Sequence, residues 1–358
     1  MLHIKNISLF QFKNHSNSNY DFQKPIVAFV GHNGSGKTSI LDAIYFLCFT
    51  KSYFTFPDSL CVQYGESEMS IRGLFFKNND GYDIACKFRN QRKEFLIDQH
   101  PYQQLSKHIG LFPCVIIAPD DTKLITEGSE VRRKLFDLYI SQIHPSYLNW
   151  LLEYNKLLSQ RNALLKRWHI NSSDEKSMLD LYNQQMIPLA QQIMEQRKQH
   201  LHEYGIEVLR IYQQLSGQKE KPSLHYESQL LHHNMEELFE QSLHKDIILQ
   251  RTSCGIHKDD LIFKLNEATF KQVASQGQRK TFLFSLKLAM KELLAKHLHL
   301  EPILLLDDVF EKLDAYRSQQ IIDYIVASKS QIFITDTHLE RIQSTFKPIL
   351  QEVQIIEL

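Results

Sequence analysis

Across the first 120 residues, short runs either alternate apolar and polar positions or stay apolar throughout, at residues 4–12, 26–30, 70–76, 82–88 and 115–118. Alternation predicts strands with one wet face, and an unbroken aliphatic run such as Ile26, Val27, Ala28, Phe29, Val30 predicts a strand buried on both faces. The turn sequence Asn78-Asn79-Asp80-Gly81 predicts a hairpin between two of them. After Gly128 the period changes. Tyr147, Leu151, Tyr154, Leu158, Leu165 and Trp168 recur at spacings of three and four, with Arg161 in the one remaining slot. Tyr182, Met186, Leu189 and Ile193 continue the pattern, as do Leu201, Tyr204, Val208, Ile211 and Leu215. These stripes predict a few amphipathic helices packed on one another, interrupted at Pro145 and Pro188 and linked by a polar stretch at residues 171–174. From Arg251 onward strands and helices alternate again, with a helix over 281–294 and strands at 303–306 and 331–335. The expectation is an α/β nucleotide-binding domain split into residues 1–128 and 251–358 around a helical insertion at 129–250.

Residues 31–38 read GHNGSGKT, between a buried-strand pattern and a helix pattern that runs to Phe49. Glycines at 31, 34 and 36 open backbone angles closed to other residues, so successive N–H groups can converge on phosphate oxygens. Gly31, His32, Asn33, Gly34, Ser35, Gly36, Lys37, Thr38 and Ser39 are therefore the expected ATP-binding residues. Lys37 would reach the β- and γ-phosphates, and the Thr38 hydroxyl would ligate Mg²⁺. Far along the chain, ILLLDD at 303–308 predicts a buried strand that delivers two acids beside the phosphates. Asp307 is expected to hold Mg²⁺, usually through water, and Asp308 to orient or deprotonate the water that attacks the γ-phosphate. Ser275, Gly277 and Gln278 open a helix whose free N–H groups suit an anion.

Composition narrows the partners. Lys plus Arg equals Asp plus Glu at 41 each, so no global positive field marks a nucleic-acid binder, and any such surface must be local. Five cysteines, widely spaced and without a CxxC pair, fit reduced thiols in a cytoplasm. No stretch approaches a membrane helix, and the histidine pairs at 200/202, 232/233 and 297/299 lack zinc-site spacing. No NKxD element favours a GTPase, since His257 to Asp260 lacks the asparagine.

The phosphate loop, SQGQRK at 275–280, LLLDD and the Leu313-Asp314 that follows occur in the order found in ABC-type ATPases related to SMC proteins. Phe12-Lys13-Asn14, Pro119-Asp120-Asp121, RRKLFD at 132–137, Gln160-Arg161-Asn162 and GIHKDD at 255–260 tighten the likeness, and the chain resembles the RecF family over nearly its whole length. It departs from the pattern at Ile256, where proline is expected, at Lys13, where arginine is usual, and at Asp336, where many ABC ATPases carry a switch histidine; His338 stands two residues later.

The resemblance implies an ABC-type ATPase head with an inserted helical lobe, too short for the long coiled arm of an SMC protein. It further implies a weak ATPase that works as a switch, in an ATP-dependent homodimer where Ser275 and Gly277 of one copy complete the site of the other and Asp314 lies near the junction. It implies binding to single-stranded and gapped DNA, RecR and RecO as partners in loading RecA, and roles in replication, recombinational repair and SOS induction. Candidate phosphate contacts are Lys13, Arg132, Arg133 and Arg161, and beyond them Lys5, Arg89, Arg92, Lys93, Lys156, Lys166 and Arg167. No aromatic-rich reader stands out, so recognition of shape and charge is expected. The alternative is the soluble ATPase subunit of a transporter, which would share the loop, signature and acidic strand but need a membrane partner.

Overall fold

The structure is a computed structural model that describes residues 1–168, 173–217, 220–310 and 315–358. The expected Leu313 and Asp314, and the first two residues of the polar link at 171–174, lie outside the described residues. The chain packs as two units, one of Met1–Thr122, Ile211–Lys219 and Gln276–Leu358, the other of Lys123–Arg210 and Glu220–Ser275. The borders expected at 128 and 250 thus compare with divisions after Thr122 and after Ser275.

A five-stranded parallel sheet forms the centre of the first unit, in the order Val353–Glu357, Ile26–Val30, Ile332–Asp336, Ile303–Leu306, Cys114–Ile117. Two of its inner strands, Ile26–Val30 and Ile303–Leu306, are wholly aliphatic or aromatic, and the third, Ile332–Asp336, turns polar only at its end, because helices cover parallel sheets on both faces. Pairing Leu306 with Ile334 and Asp336 with Val30 lines up the carboxyl ends of three strands, where an open parallel sheet binds its ligands.

A six-stranded antiparallel sheet completes that unit, in the order His15–Asp21, Leu2–Phe12, Met69–Lys77, Asp80–Arg89, Arg92–Ile97, His100–Pro101. Asn78 and Asn79 form the expected hairpin turn, both with positive φ (52° and 76°). Two further turns follow the same rule at Asn90-Gln91 and Asp98-Gln99, giving three tight hairpins without a glycine at either central position.

In the second unit the helices Ser129–Ile143, Pro145–Lys166 and Met235–Leu249 are joined by a three-stranded antiparallel sheet of Ala268–Thr269, Asp260–Leu265 and Pro222–Glu227. The helical period did not signal this sheet. The stripes read as separate helices after residue 173 belong to one helix, Ser173–Ser216, of 44 residues. It runs through Pro188, which faces solvent, so water can satisfy the carbonyl that the missing N–H leaves free. At 1.5 Å per residue it spans about 66 Å, longer than the helices expected from the sequence.

Candidate functional site

Val30 ends a fully buried strand, and the chain then turns sharply into the helix Lys37–Phe49. Gly34 and Gly36 have φ of 86° and 103°, a region that only glycine enters freely. Around Gly34 a Cβ would meet nothing within 4 Å, whereas at Gly36 it would lie 2.5 Å from His15 Nε2 and 2.7 Å from Asn14 Nδ2. Asn14, in the turn after the first strand, and His15, which opens the next, hold the loop. Asn14 Nδ2 donates to the Gly34 carbonyl at 3.2 Å, and His15 Nε2 lies 3.2 Å from the Gly36 carbonyl. A carbonyl only accepts, so Nε2 carries the hydrogen and Nδ1 accepts from the Ser18 hydroxyl at 3.2 Å. Burial lowers the His15 pKa, against the Gly36 hydrogen bond that raises it, which favours this neutral ring.

Lys37 is buried, and its ammonium donates to the Gly31 and His32 carbonyls, each at 2.9 Å. The next residue reaches the second motif, because the Thr38 hydroxyl donates to Asp307 Oδ1 at 2.9 Å. The strand register brings in Thr335, which the sequence reading missed. With Leu306 opposite Ile334, the Thr335 hydroxyl donates to the same Asp307 oxygen at 2.8 Å and accepts from the Asp308 N–H at 2.9 Å. Burial pushes the Asp307 pKa up; the Thr335 and Thr38 hydroxyls pull it down, and Asp308 adds to the rise. Asp308 turns away at φ 45° and is partly exposed. A buried carboxylate that remains disfavoured after accepting two hydroxyls suits a cation. The Ser35 hydroxyl, buried without a partner, and the open ground over Gly34 fit a ligand with several acceptor oxygens.

Asp336 is occupied otherwise. Arg341 Nη2 donates to its Oδ1 at 2.7 Å and the His338 N–H to the same oxygen at 2.8 Å, so it anchors the turn after the central strand. His338 itself is exposed.

Ser275 is exposed and directly precedes the helix Gln276–Leu298. Gly277, in its first turn, faces the Arg317 guanidinium, whose Nη1 would stand 2.6 Å from a Cβ there. The neighbours of the phosphate loop given above are Asn14, His15 and Asp307, while that of Gly277 is Arg317.

Of the four leading DNA-contact candidates Arg161 needs correction, because it is buried, while the other three are partly exposed and hold partners within the chain. Arg161 is 0% exposed; its guanidinium pairs with Asp246 at 2.7 Å, bonds Asn183 and Thr252, and lies over Phe239. No phosphate could reach it without opening the core. Lys13 pairs with buried Asp42 at 2.6 Å. Arg132 pairs with Asp260 at 2.8 Å, and Arg133 donates to the Ser129 hydroxyl and the Asp259 carbonyl. The RRKLFD and GIHKDD stretches therefore meet each other. Arg197, also missed, ties them further, donating to Asp137 at 2.9 Å and to Asp259 at 2.8 Å. Lys93 is paired with Asp58, whereas Lys5, Arg89, Arg92, Lys156, Lys166 and Arg167 are exposed.

The RecF/RecN/SMC N terminal domain family matches residues 3–351. The DNA replication and repair protein RecF of Flavobacterium johnsoniae is 41% identical over 100% of both chains. That of Cytophaga hutchinsonii is 38% identical over 95% of this chain and 90% of its own. Among solved structures, the recombination mediator protein RecF-ATPrS of the RecFOR pathway superposes with a TM-score of 0.88 at 26% identity, covering 100% of this chain and 96% of that one. The Smc head domain of Pyrococcus furiosus gives 0.56 at 18% identity, covering 100% and 93%, a likeness of fold alone. The chain accordingly belongs to the RecF family of DNA replication and repair proteins, with the ABC-type ATPase head fold that this family shares with SMC heads.

Proposed function

We propose that the chain binds ATP with Mg²⁺ at residues 31–39 and uses slow hydrolysis as a switch that closes a homodimer on DNA. The observation that carries this reading is the meeting of Thr38 and Asp307 at 2.9 Å, next to a lysine and three glycines arranged for phosphates. Bound Mg²⁺ would neutralise phosphate charge and polarise the γ-phosphate for attack. Thr38 supplies a hydroxyl ligand, and Asp307, oriented by Thr335, a carboxylate acting through water. Lys37 exchanges its two loop carbonyls for the β- and γ-phosphates. Asp308 positions and deprotonates the attacking water, while Asp336, tied to Arg341, is not available for that task.

Ser275, Gly277 and Gln278 serve the nucleotide of a second copy, since Gly277 is flanked by Arg317 rather than by its own phosphate loop. Two composite sites then form only in a dimer. Family membership supports the DNA reading, with single-stranded DNA and single-strand/duplex junctions at gaps as the targets. RecR and RecO are the proposed partners in loading RecA, and SOS induction the downstream role; the RecFOR pathway of the matched RecF structures supports this.

The test is particle size on gapped duplex with and without ATP and Mg²⁺. A dimer only with both is expected, and a monomer indifferent to nucleotide would overturn the mechanism. Comparing Lys37→Ala with Asp308→Asn separates binding from turnover: the first should lose the dimer, the second should keep it and lose hydrolysis.

A further inference from the structure

The helix Lys37–Phe49 leads into a loop, residues 52–64, that is tightly pinned yet unusually apolar outside. Asp42 accepts from the Ser52 hydroxyl at 2.6 Å and the Tyr53 N–H at 2.7 Å. The Tyr53 hydroxyl bonds Asp121, Lys93 holds Asp58, and backbone bonds join Lys13 to Cys61 and Gln63 to Gln11, each at 2.8 Å. From this fixed frame Phe54, Phe56, Leu60 and Tyr64 project, Phe56 being 89% and Tyr64 102% exposed. Exposed apolar groups gathered on a rigid loop mark an interaction site.

What lies beside the loop identifies the partner's chemistry. Glu68 and Met69, just past it, line a recess of about 420 Å³ with Phe10, Lys87, Arg89 and Arg92. Arg89 and Arg92 face each other across the Asn90-Gln91 turn, and Arg89 also bonds Glu68. Glu68 and Glu94 line the same recess, so Lys87, Arg89 and Arg92 outnumber its acids by one, and the exposed guanidinium of Arg92 leaves room for a further anion. Rings standing free in water can take bases on their faces while adjacent cations meet phosphates, which is the combination that recognises a single strand. The flanking cations set this surface apart from the centre of a protein interface, where charged residues are depleted.

We propose that residues 54–64 and the Arg89/Arg92 hairpin form a single-strand reader, in which Phe56 and Tyr64 stack on unpaired bases and the arginines hold the flanking phosphates. The proposal rests on the DNA reading above, and it replaces recognition by shape and charge alone at this surface.

Binding of the full-length chain, with ATP and Mg²⁺, is measured on a gapped duplex carrying 2-aminopurine in the gap and on a fully paired duplex of equal length. Wild type should quench the 2-aminopurine. The double variant Phe56→Ala/Tyr64→Ala should bind the gapped duplex about 10- to 100-fold more weakly, lose the quenching, and bind the paired duplex as before. Phe56→Trp should retain gap binding. Because both rings are solvent-exposed, ATP binding and melting temperature should not change. Unchanged affinity of the double variant for the gap, or an equal loss on both duplexes, would overturn the reader. Failure of wild type to bind either duplex would overturn the DNA reading itself.

Discussion

At the scale of single residues, burial decides which charges are functional and which are structural. The folded-state pKa of Asp307 lies above its unfolded value, so the ionised carboxylate costs stability at neutral pH when no cation is bound. Asp307→Asn, which can still accept from Thr38 and Thr335, is expected to leave unfolding stability unchanged or higher in chelator, while Mg²⁺ with ATP no longer raises it. Denaturant melts with and without Mg²⁺ check this. Arg161→Ala strands Asp246 in the core and should cost about 3–5 kcal/mol, read by urea unfolding, with DNA affinity of the folded protein unaltered. The phosphate loop and Asp307 were legible because their residue types have few other uses at that spacing. Arg161 was misread as a DNA contact, although its place in an apolar stripe is the signal that marks it as buried. Thr335 carried no signal, since only the register beside Leu306 makes its hydroxyl matter.

Among the elements, the antiparallel sheet owes its order to three two-residue turns in which both central residues have positive φ. Asn79, at φ 76°, is tolerated there, and glycine is easier still. Asn79→Gly should leave stability unchanged or raise it by up to about 1 kcal/mol, whereas Asn79→Val should lower it by about 1–2 kcal/mol, as measured by thermal unfolding. Only the first turn was readable, because asparagine and glycine advertise left-handed backbone while the glutamines at 91 and 99 do not. Proline misleads in the opposite way at 188. Its solvent-facing position leaves the long helix unbroken, with Leu179, Met186, Ile193 and Arg197 continuing one stripe across it. The strand Pro222–Glu227 escaped notice because it starts with proline and alternates polar residues weakly.

For the whole molecule, two buried histidines couple stability to pH. Burial lowers the pKa of His108 and of His257 to about 4, so each stays neutral in the fold where the unfolded chain would protonate it. Stability should therefore be full above pH 6.5 and fall toward pH 4, at about 1.4 kcal/mol per pH unit for each histidine, with His257→Gln removing its share of the slope. Chemical denaturation at pH 7 and pH 5 tests the sign. A second test addresses assembly. Lys37→Ala and Ser275→Arg chains, each inactive alone, should form mixed dimers with one intact composite site and recover part of the ATPase rate. The central sheet has one further consequence, for synthesis. Ile26 is paired on one side with Ile332 and on the other with Val353, so the strand that launches the phosphate loop has neither neighbour until almost the entire chain has emerged. The hairpin sheet, built from adjacent segments, can form early, whereas the central sheet carries a loop-closure cost spanning most of the polypeptide. A ribosome-stalled chain that stops before residue 332 should protect the hairpins from protease yet hold no nucleotide, making ATP retention a report that translation of the head is complete.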